Sequence, residues 1–400
     1  MVKVSMLSTG EEVLHGDIVD TNASWLSELF FEQGFAIHYR STVGDQLDEL
    51  ESEITALSLK SDVVIVNGGL GPTTDDLSAL AAANALGVEL ELHQEWLEIM
   101  THYFARLGRP MAASNDKQAM LPAGAEMINN PVGTACGFSI ELNGAVIFFT
   151  PGVPFEFKRM TMDEILPRLK QRFPNVERLE CNKLYTFGLG ESGIADRLKS
   201  VVLPKGFSLG YRSYMPFIEV KIFSPYQDVN IEQVIEIISG ELAEFTLSIN
   251  QPLIGAVGHL LEQNQIHISA LEQVTGGEVA RGLSLDVNAQ KQFVQCVVDN
   301  QAQPLSELQD ALLISDEYRQ DTQSAIVVGS FKMEDQSIAL VLISAEYHFA
   351  QQVSFAREYP LKSQQILLST VILDMVRRYL QQTNMLATFS HFDRLAFIEG

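Results

Sequence analysis

The chain is poor in cysteine and in positive charge, and it has no long apolar run. Its three cysteines, Cys136, Cys181 and Cys296, are odd in number and lack C-x-x-C spacing. That argues against a disulfide framework and a zinc cluster, and fits a reducing cytoplasm. The eight histidines show no His-x-x-x-His or His–Cys pairing, so they read as surface or core residues rather than zinc ligands. Lysine and arginine number 27 against 51 aspartates and glutamates, a formal charge of −24. Such a field repels nucleic-acid backbones and anionic membrane surfaces. A small phosphorylated ligand stays open, because backbone amides or a cation can reverse the field within one site. No stretch of about 18 apolar residues occurs. The opening segment Met1 to Leu7 is shorter than a signal h-region and runs into Ser8-Thr9-Gly10-Glu11-Glu12, so the expectation is a cytoplasmic protein, neither secreted nor membrane-spanning.

What is present is an ordinary foldable composition, 46% apolar and 20% charged, in a chain of 400 residues, longer than one hydrophobic core usually serves. The pattern predicts an α/β protein of three domains, at 1–172, 173–250 and 251–400. The first opens with a buried strand from Val2 to Leu7, a helix over Thr21 to Gln33, and a strand near Ala36 to Thr42. A helix from Leu47 to about Ser58 then leads into Asp62-Val63-Val64-Ile65-Val66-Asn67, the run of a strand covered on both faces. The order βαβαβ implies a mostly parallel sheet with right-handed crossovers. Helices near Leu77 to Leu86 and Glu95 to Leu107 follow, then a polar loop from Gly108 to Gly133, strands over Gly137 to Leu142 and Ala145 to Thr150, and a helix towards Phe173. A small α+β segment reaches about Ile249 and contains two or three strands and a helix at Ile231 to Leu242. The last third reads as another α/β domain, with a strand at Ile266 to Leu271, a Thr275-Gly276-Gly277 turn and a helix at Ile366 to Leu380.

Ligands of parallel sheets bind beyond the carboxyl ends of the strands, where four turns gather. The central one is Asn67-Gly68-Gly69-Leu70-Gly71-Pro72-Thr73-Thr74-Asp75-Asp76. Glycines between a strand and a helix bring bare amides to an incoming group at the positive end of the helix dipole, which makes a phosphate cradle; the alternative is a plain βα turn. The spacing matches neither G-x-G-x-x-G nor the P-loop. Asp75 and Asp76 read either as caps at the start of the next helix or as groups that share a divalent cation with the phosphate or act as base towards water. Ser8-Thr9-Gly10-Glu11-Glu12, with Asn22 pointing back, adds hydroxyls and carboxylates to the rim; solvated loop charge is the alternative for Glu11 and Glu12. Lys117 could neutralise a phosphate from the long loop. Asn130 to Ala135, including Gly133 and Thr134, and Pro151-Gly152-Val153-Pro154-Phe155-Glu156 complete the set.

Together these stretches, with Val19-Asp20-Thr21-Asn22 and Lys117-Gln118-Ala119, resemble the CinA family, competence/damage-inducible-type proteins. The resemblance implies a MoaB/MogA-like, molybdopterin-binding-fold α/β sandwich at 1–172 acting as a metal-dependent ADP-ribose pyrophosphatase with magnesium, manganese or a similar divalent ion. It also implies a KH-like module at 173–250, a nicotinamide-mononucleotide deamidase-like domain at 251–400, and a homodimer. The catalytic candidates are Asp75, Asp76 and Glu12, and the metal candidates Asp76 and Glu11. Thr9, Gly10, Asn22, Gly68, Gly69 and Gly71 are substrate-binding candidates, as are Thr73, Thr74, Lys117, Gly133, Thr134, Pro151 and Gly152. A non-catalytic molybdopterin- or nucleotide-binding protein is the alternative. The deamidase motif Ala-Glu-Ser-Cys-Thr-Gly-Gly is replaced here by Leu271-Glu272-Gln273-Val274-Thr275-Gly276-Gly277. Because an amide cannot form the acyl intermediate that a hydroxyl can, deamidation is expected to be absent. Net acidity and the lack of a basic Gly-x-x-Gly loop argue against RNA binding by the middle module.

Overall fold

The computed structural model describes residues 2–400 and divides into two compact units, Met1–Leu179 and Glu180–Gly400. The first is built on strands β1 (Val4–Thr9), β2 (Ile37–Val43) and β3 (Val63–Asn67), the short β4 (Leu90–Leu92), β5 (Met120–Pro122) and β6 (Glu126–Ile128), and then β7 (Gly137–Leu142) and β8 (Ala145–Thr150). Its helices are α1 (Glu11–Leu14), α2 (Thr21–Glu32), α3 (Leu47–Lys60), α4 (Ser78–Leu86), α5 (Gln94–Arg106), α6 (Pro154–Met160) and α7 (Leu166–Arg172).

The main sheet runs β2-β1-β3-β8-β7-β6. Its first four strands are parallel, and β7 and β6 add antiparallel to the edge. The unbroken run of β3 has a clear cause. Val63 and Ile65 face one core with Leu26, Phe30 and Phe157, while Val64 and Val66 face the other with Leu57, Trp96 and Phe149. Helices on both sides exclude water from both faces, so period-two alternation has no reason to appear.

Residues 108–133 depart from the expected polar loop. They hold a 3₁₀ turn (Ala113–Ala119), β5 paired with β4, and β6 on the main sheet. The apolar pairs Met120-Leu121 and Met127-Ile128 are too short for a periodic signal, but Leu121 and Ile128 are buried.

The second unit holds a four-stranded sheet of order β10-β11-β9-β12, from β9 (Leu179–Thr186), β10 (Ser208–Tyr214), β11 (Phe217–Pro225) and β12 (Thr246–Ile249). Helices α8 (Glu191–Leu198) and α9 (Ile231–Glu241) pack Ile194, Leu198, Val234 and Ile238 onto it. A six-stranded sheet of order β14-β13-β15-β16-β17-β18 follows: β13 (Ile268–Glu272), β14 (Phe293–Val298), β15 (Ile326–Lys332), β16 (Ile338–Ser344), β17 (His348–Phe355) and β18 (Phe392–Glu399). Around it lie α10 (Leu253–Asn264), α11 (Glu278–Leu285), α12 (Ala289–Gln292), α13 (Leu308–Thr322) and α14 (Leu361–Leu380). Only β14, β13 and β15 are parallel. Phe187 and Leu247 of the smaller sheet are buried in the core of the larger, Phe187 with its ring 4.7 Å from that of Phe389. Among the described residues no helix is long and apolar enough to cross a membrane.

Candidate functional site

The carboxyl ends of β1, β3 and β8 bring three turns together, and side-chain amides pin them. Asn67, the last residue of β3, donates from Nδ2 to the Pro151 carbonyl at 2.7 Å, and its Oδ1 accepts from Asn22 Nδ2 at 3.0 Å. The same Asn22 nitrogen donates to the Gly152 carbonyl at 2.8 Å. Asn22 is placed by α2, whose first turn is capped by Asp20 through a 2.8 Å bond from the Ala23 N–H. The Ser8 hydroxyl donates to the other Asp20 oxygen at 2.6 Å, fastening α2 to the end of β1.

Gly68 begins the central turn at φ +115°, and a Cβ there would fall 2.5 Å from Thr9 Oγ1. Only glycine suits both the backbone angle and the close approach of the first turn. The Gly68 N–H is already used, donating to the Thr150 carbonyl at 2.9 Å. The next three N–H groups, of Gly69, Leu70 and Gly71, find no acceptor among the described residues. Consecutive free donors of this kind form an anion-binding concavity, since a sheltered N–H without a partner is otherwise rare.

Gly69, Leu70 and Gly71 line a cleft of about 450 Å³ shared with Glu12, Asp45, Asp75, Asp76 and Glu156, within the usual size of a small-molecule site. Asp76 accepts the Thr73 N–H at 2.8 Å and also the Thr73 hydroxyl, while Lys117 Nζ donates to the Thr73 carbonyl. The two aspartates therefore do not cap the following helix, which starts at Ser78 after Leu77; Asp76 shapes the loop instead. The Thr73 side chain, the Asp75 backbone N–H and the Lys117 charge hold the exposed Asp75 carboxyl below the ordinary aspartate value. Asp45 behaves oppositely. Burial raises its pKa most, and the charges of Glu12, Asp75 and Glu11 raise it further against the lowering hydrogen bond from the Glu11 N–H. Glu156 accepts from Asn130 Nδ2 at 2.7 Å and lies over Gly133.

Of the residues singled out in the sequence, Thr9, Gly10, Glu12, Gly68, Gly69, Gly71, Asp75, Asp76, Thr134, Pro151 and Gly152 line this cleft. Asn22, Thr73, Lys117 and Gly133 stand behind it as supports, and Thr74 is exposed on the loop. Glu11 is turned away. Its carboxylate accepts the Asp45 N–H at 3.3 Å and faces His15 at 3.4 Å. Glu156 stands at the end of the Pro151 to Glu156 turn, where the sequence pattern assigns it no role of its own, and Asp45 lies outside all four turns; the one sign of Asp45 is a Gly44-Asp45 pair after β2, at the same rim. Among the described residues no three His, Cys, Asp or Glu side chains converge as a ready metal cage. Three buried side-chain oxygens here, Thr9 Oγ1, Asn22 Oδ1 and Gln118 Oε1, lack a hydrogen-bond partner, a feature that clusters at functional sites.

The turn between β13 and α11 is arranged differently. The buried Glu272 carboxylate accepts the Thr275 hydroxyl at 2.7 Å and the N–H groups of Gly277 and Ala280, both at 2.8 Å. Gln273 Oε1 accepts the Lys332 N–H at 3.2 Å.

A family model described as a probable molybdopterin binding domain matches residues 5–171. A CinA-like protein of Escherichia coli O9:H4 (strain HS) is 44% identical over 386 residues, 95% of this chain and 94% of that relative. The NMN amidohydrolase-like protein YfaY of Escherichia coli (strain K12) matches with the same identity and coverage. A solved structure of the protein CinA, of unknown function, from Thermoplasma acidophilum is 29% identical over 42% of this chain and 96% of that one, with a TM-score of 0.38.

Proposed function

This chain belongs to the family of CinA-like proteins, and from that premise we propose that the cleft of its first unit binds a nucleoside diphosphate such as ADP-ribose and, with a divalent cation, hydrolyses the diphosphate link. The observation that carries this reading is that Gly69, Leu70 and Gly71, whose N–H groups have no acceptor among the described residues, line a cleft together with five carboxylates. The donors suit phosphate oxygens and the acids would repel them, so the two sets coexist on one ligand when positive charge lies between.

The donor set is all oxygen, which suits magnesium or manganese. Such an ion commonly rests on one or two carboxylates and takes its other positions from water and substrate phosphate. Asp76 and Asp75, with Glu12 or Asp45 across the cleft, are the residues to hold it. When bound, the cation would neutralise the diphosphate and polarise its phosphorus–oxygen bonds. The chain's own part is orientation and proton transfer. The amides fix the diphosphate, the Thr73 loop is held by Asp76 and Lys117, and a carboxylate accepts the proton of the attacking water. Asp45 suits the last task because its raised pKa makes it a better base than an ordinary aspartate. Water adds to one phosphorus, the bond to the bridging oxygen breaks, and AMP and ribose 5-phosphate leave.

The full chain with magnesium or manganese should release AMP from ADP-ribose, and Asp76→Asn should lower kcat/KM by about 100-fold or more at an unchanged thermal midpoint. A wild-type protein inert across metals and nucleoside diphosphates removes the reading. The description of the matched family model supports a second one, a molybdopterin- or nucleotide-binding protein that breaks no bond. It expects a ligand-dependent rise in melting temperature without turnover. For the second unit we propose no deamidation of nicotinamide mononucleotide, since Gln273 stands where the resembling motif has its serine; ammonia released from that substrate would overturn this.

A further inference from the structure

We infer that the nucleobase of the substrate stacks on an apolar lip made by Val153 and Phe155 beside the diphosphate cleft, a deepening that rests on the diphosphate-binding reading above. Helix α6 starts at Pro154, which fixes the backbone directly after the Gly152 turn. Its inward face is already satisfied. Phe157 is fully buried, 5.7 Å ring to ring from Trp25, and Met160 is buried beside it. Phe155, two residues earlier, projects from a different face of the helix and is 68% exposed, and Val153 is 52% exposed.

Single exposed apolar residues are common on protein surfaces, but these have company. Val19, three residues before Asn22, is 83% exposed, with Ile18 at 51% and Leu14 at 47%. The 2.8 Å bond from Asn22 Nδ2 to the Gly152 carbonyl brings the start of α2 to the turn that carries Val153. Glu12 of the first segment and Val153 and Glu156 of the second line the cleft, and Phe155 stands between those last two in the chain, just outside the lining.

The cleft is otherwise acidic, with five carboxylates, so this lip is where a flat, uncharged and weakly hydrated ring would be placed. The diphosphate end is anchored by amides that recognise no base. Discrimination of a nucleotide from a bare sugar phosphate then falls to the lip, and a π face on Phe155 tolerates purine and other aromatic bases alike.

The test is calorimetric titration of the full chain with magnesium and an uncleavable ADP-ribose analogue carrying a methylene group between its phosphorus atoms. Ribose 5-phosphate and inorganic diphosphate serve as ligands without a base. Phe155→Ala should weaken the analogue by roughly 10-fold or more and leave the two baseless ligands within about twofold, and Phe155→Tyr should restore the analogue. Equal affinity for the analogue in wild type and Phe155→Ala, or equal weakening of all three ligands, overturns the inference. So does a wild type that binds no analogue, or a lip substitution that changes only the sedimenting mass, which would mark a subunit contact. Because binding is read without bond cleavage, a protein that binds in this pattern yet hydrolyses nothing would sink the proposed activity and leave the lip standing.

Discussion

In the first unit a Gly68-Gly69 pair follows the interior strand β3, and in the second a Gly276-Gly277 pair lies between the interior strand β13 and α11. Both strands are flanked by parallel neighbours, and both turns present backbone amides ahead of a helix. In the first, three of those amides have no acceptor among the described residues, and their residues line a cleft. In the second, Glu272 from the strand end swings its carboxylate into the turn and takes the N–H groups of Gly277 and Ala280. One turn is left for an external anion, and the other carries its own. The difference lies in which side chain ends the strand. Asn67 directs its amide sideways to the Pro151 carbonyl, whereas Glu272 is buried and long enough to reach the amides of the turn.

Glu272→Ala should destabilise the second unit by about 3–5 kcal/mol, because it strands several buried and half-buried donors at once. Glu272→Gln, which keeps an acceptor, should cost clearly less. Urea unfolding followed by circular dichroism reads both, and added phosphate should recover part of the alanine loss if an anion can take the vacated place. An alanine variant as stable as wild type would show that the carboxylate does not hold this turn together.

Gly68→Ala is a smaller perturbation on the open side. The positive φ and the contact with Thr9 should cost about 1–3 kcal/mol, and the displaced turn should lose AMP release from ADP-ribose. Retained activity would mean the cradle does not need that backbone.

The smallest effect is one of pH. Asp45 is pushed up by burial and next by Glu12, so removing the Glu12 charge in Glu12→Gln relieves repulsion on the Asp45 anion, which then forms at lower pH. If Asp45 is the base, the acid limb of kcat/KM for ADP-ribose should move to lower pH in Glu12→Gln. An unmoved or upward-shifted limb assigns the proton transfer elsewhere.

Much of the fold could be read along the chain because it rests on local signals. The β-branched run at Val63 to Val66, the apolar spacing of α2, α3 and α14, and the glycine turns all follow from neighbouring residues. The cleft was legible where its residues sit in such turns, as Thr9, Gly68 and Gly152 do. It was illegible at Asp45, and at Glu156 the turn was legible but the carboxylate's place in the cleft was not. An acid after a strand or in the first turn of a helix looks like solvated charge or a dipole partner, and nothing nearby reveals that Glu12, 33 positions away in sequence, will crowd it. Residues 108–133 failed for a related reason, since three-residue strands gain their order from partners rather than from their own pattern.

The sequence by itself determined where the chain turns and which turns can bring amides close to a ligand, because backbone angle and side-chain size act within a few residues. Which amides remain free was decided only in the folded molecule. The Gly68 N–H is taken by Thr150, and those of Gly277 and Ala280 by Glu272, while the N–H groups of Gly69, Leu70 and Gly71 have no acceptor among the described residues. Hydrogen-bond capacity is spent on whatever acceptor packing brings within about 3 Å, and for Gly68 that acceptor comes from a distant strand.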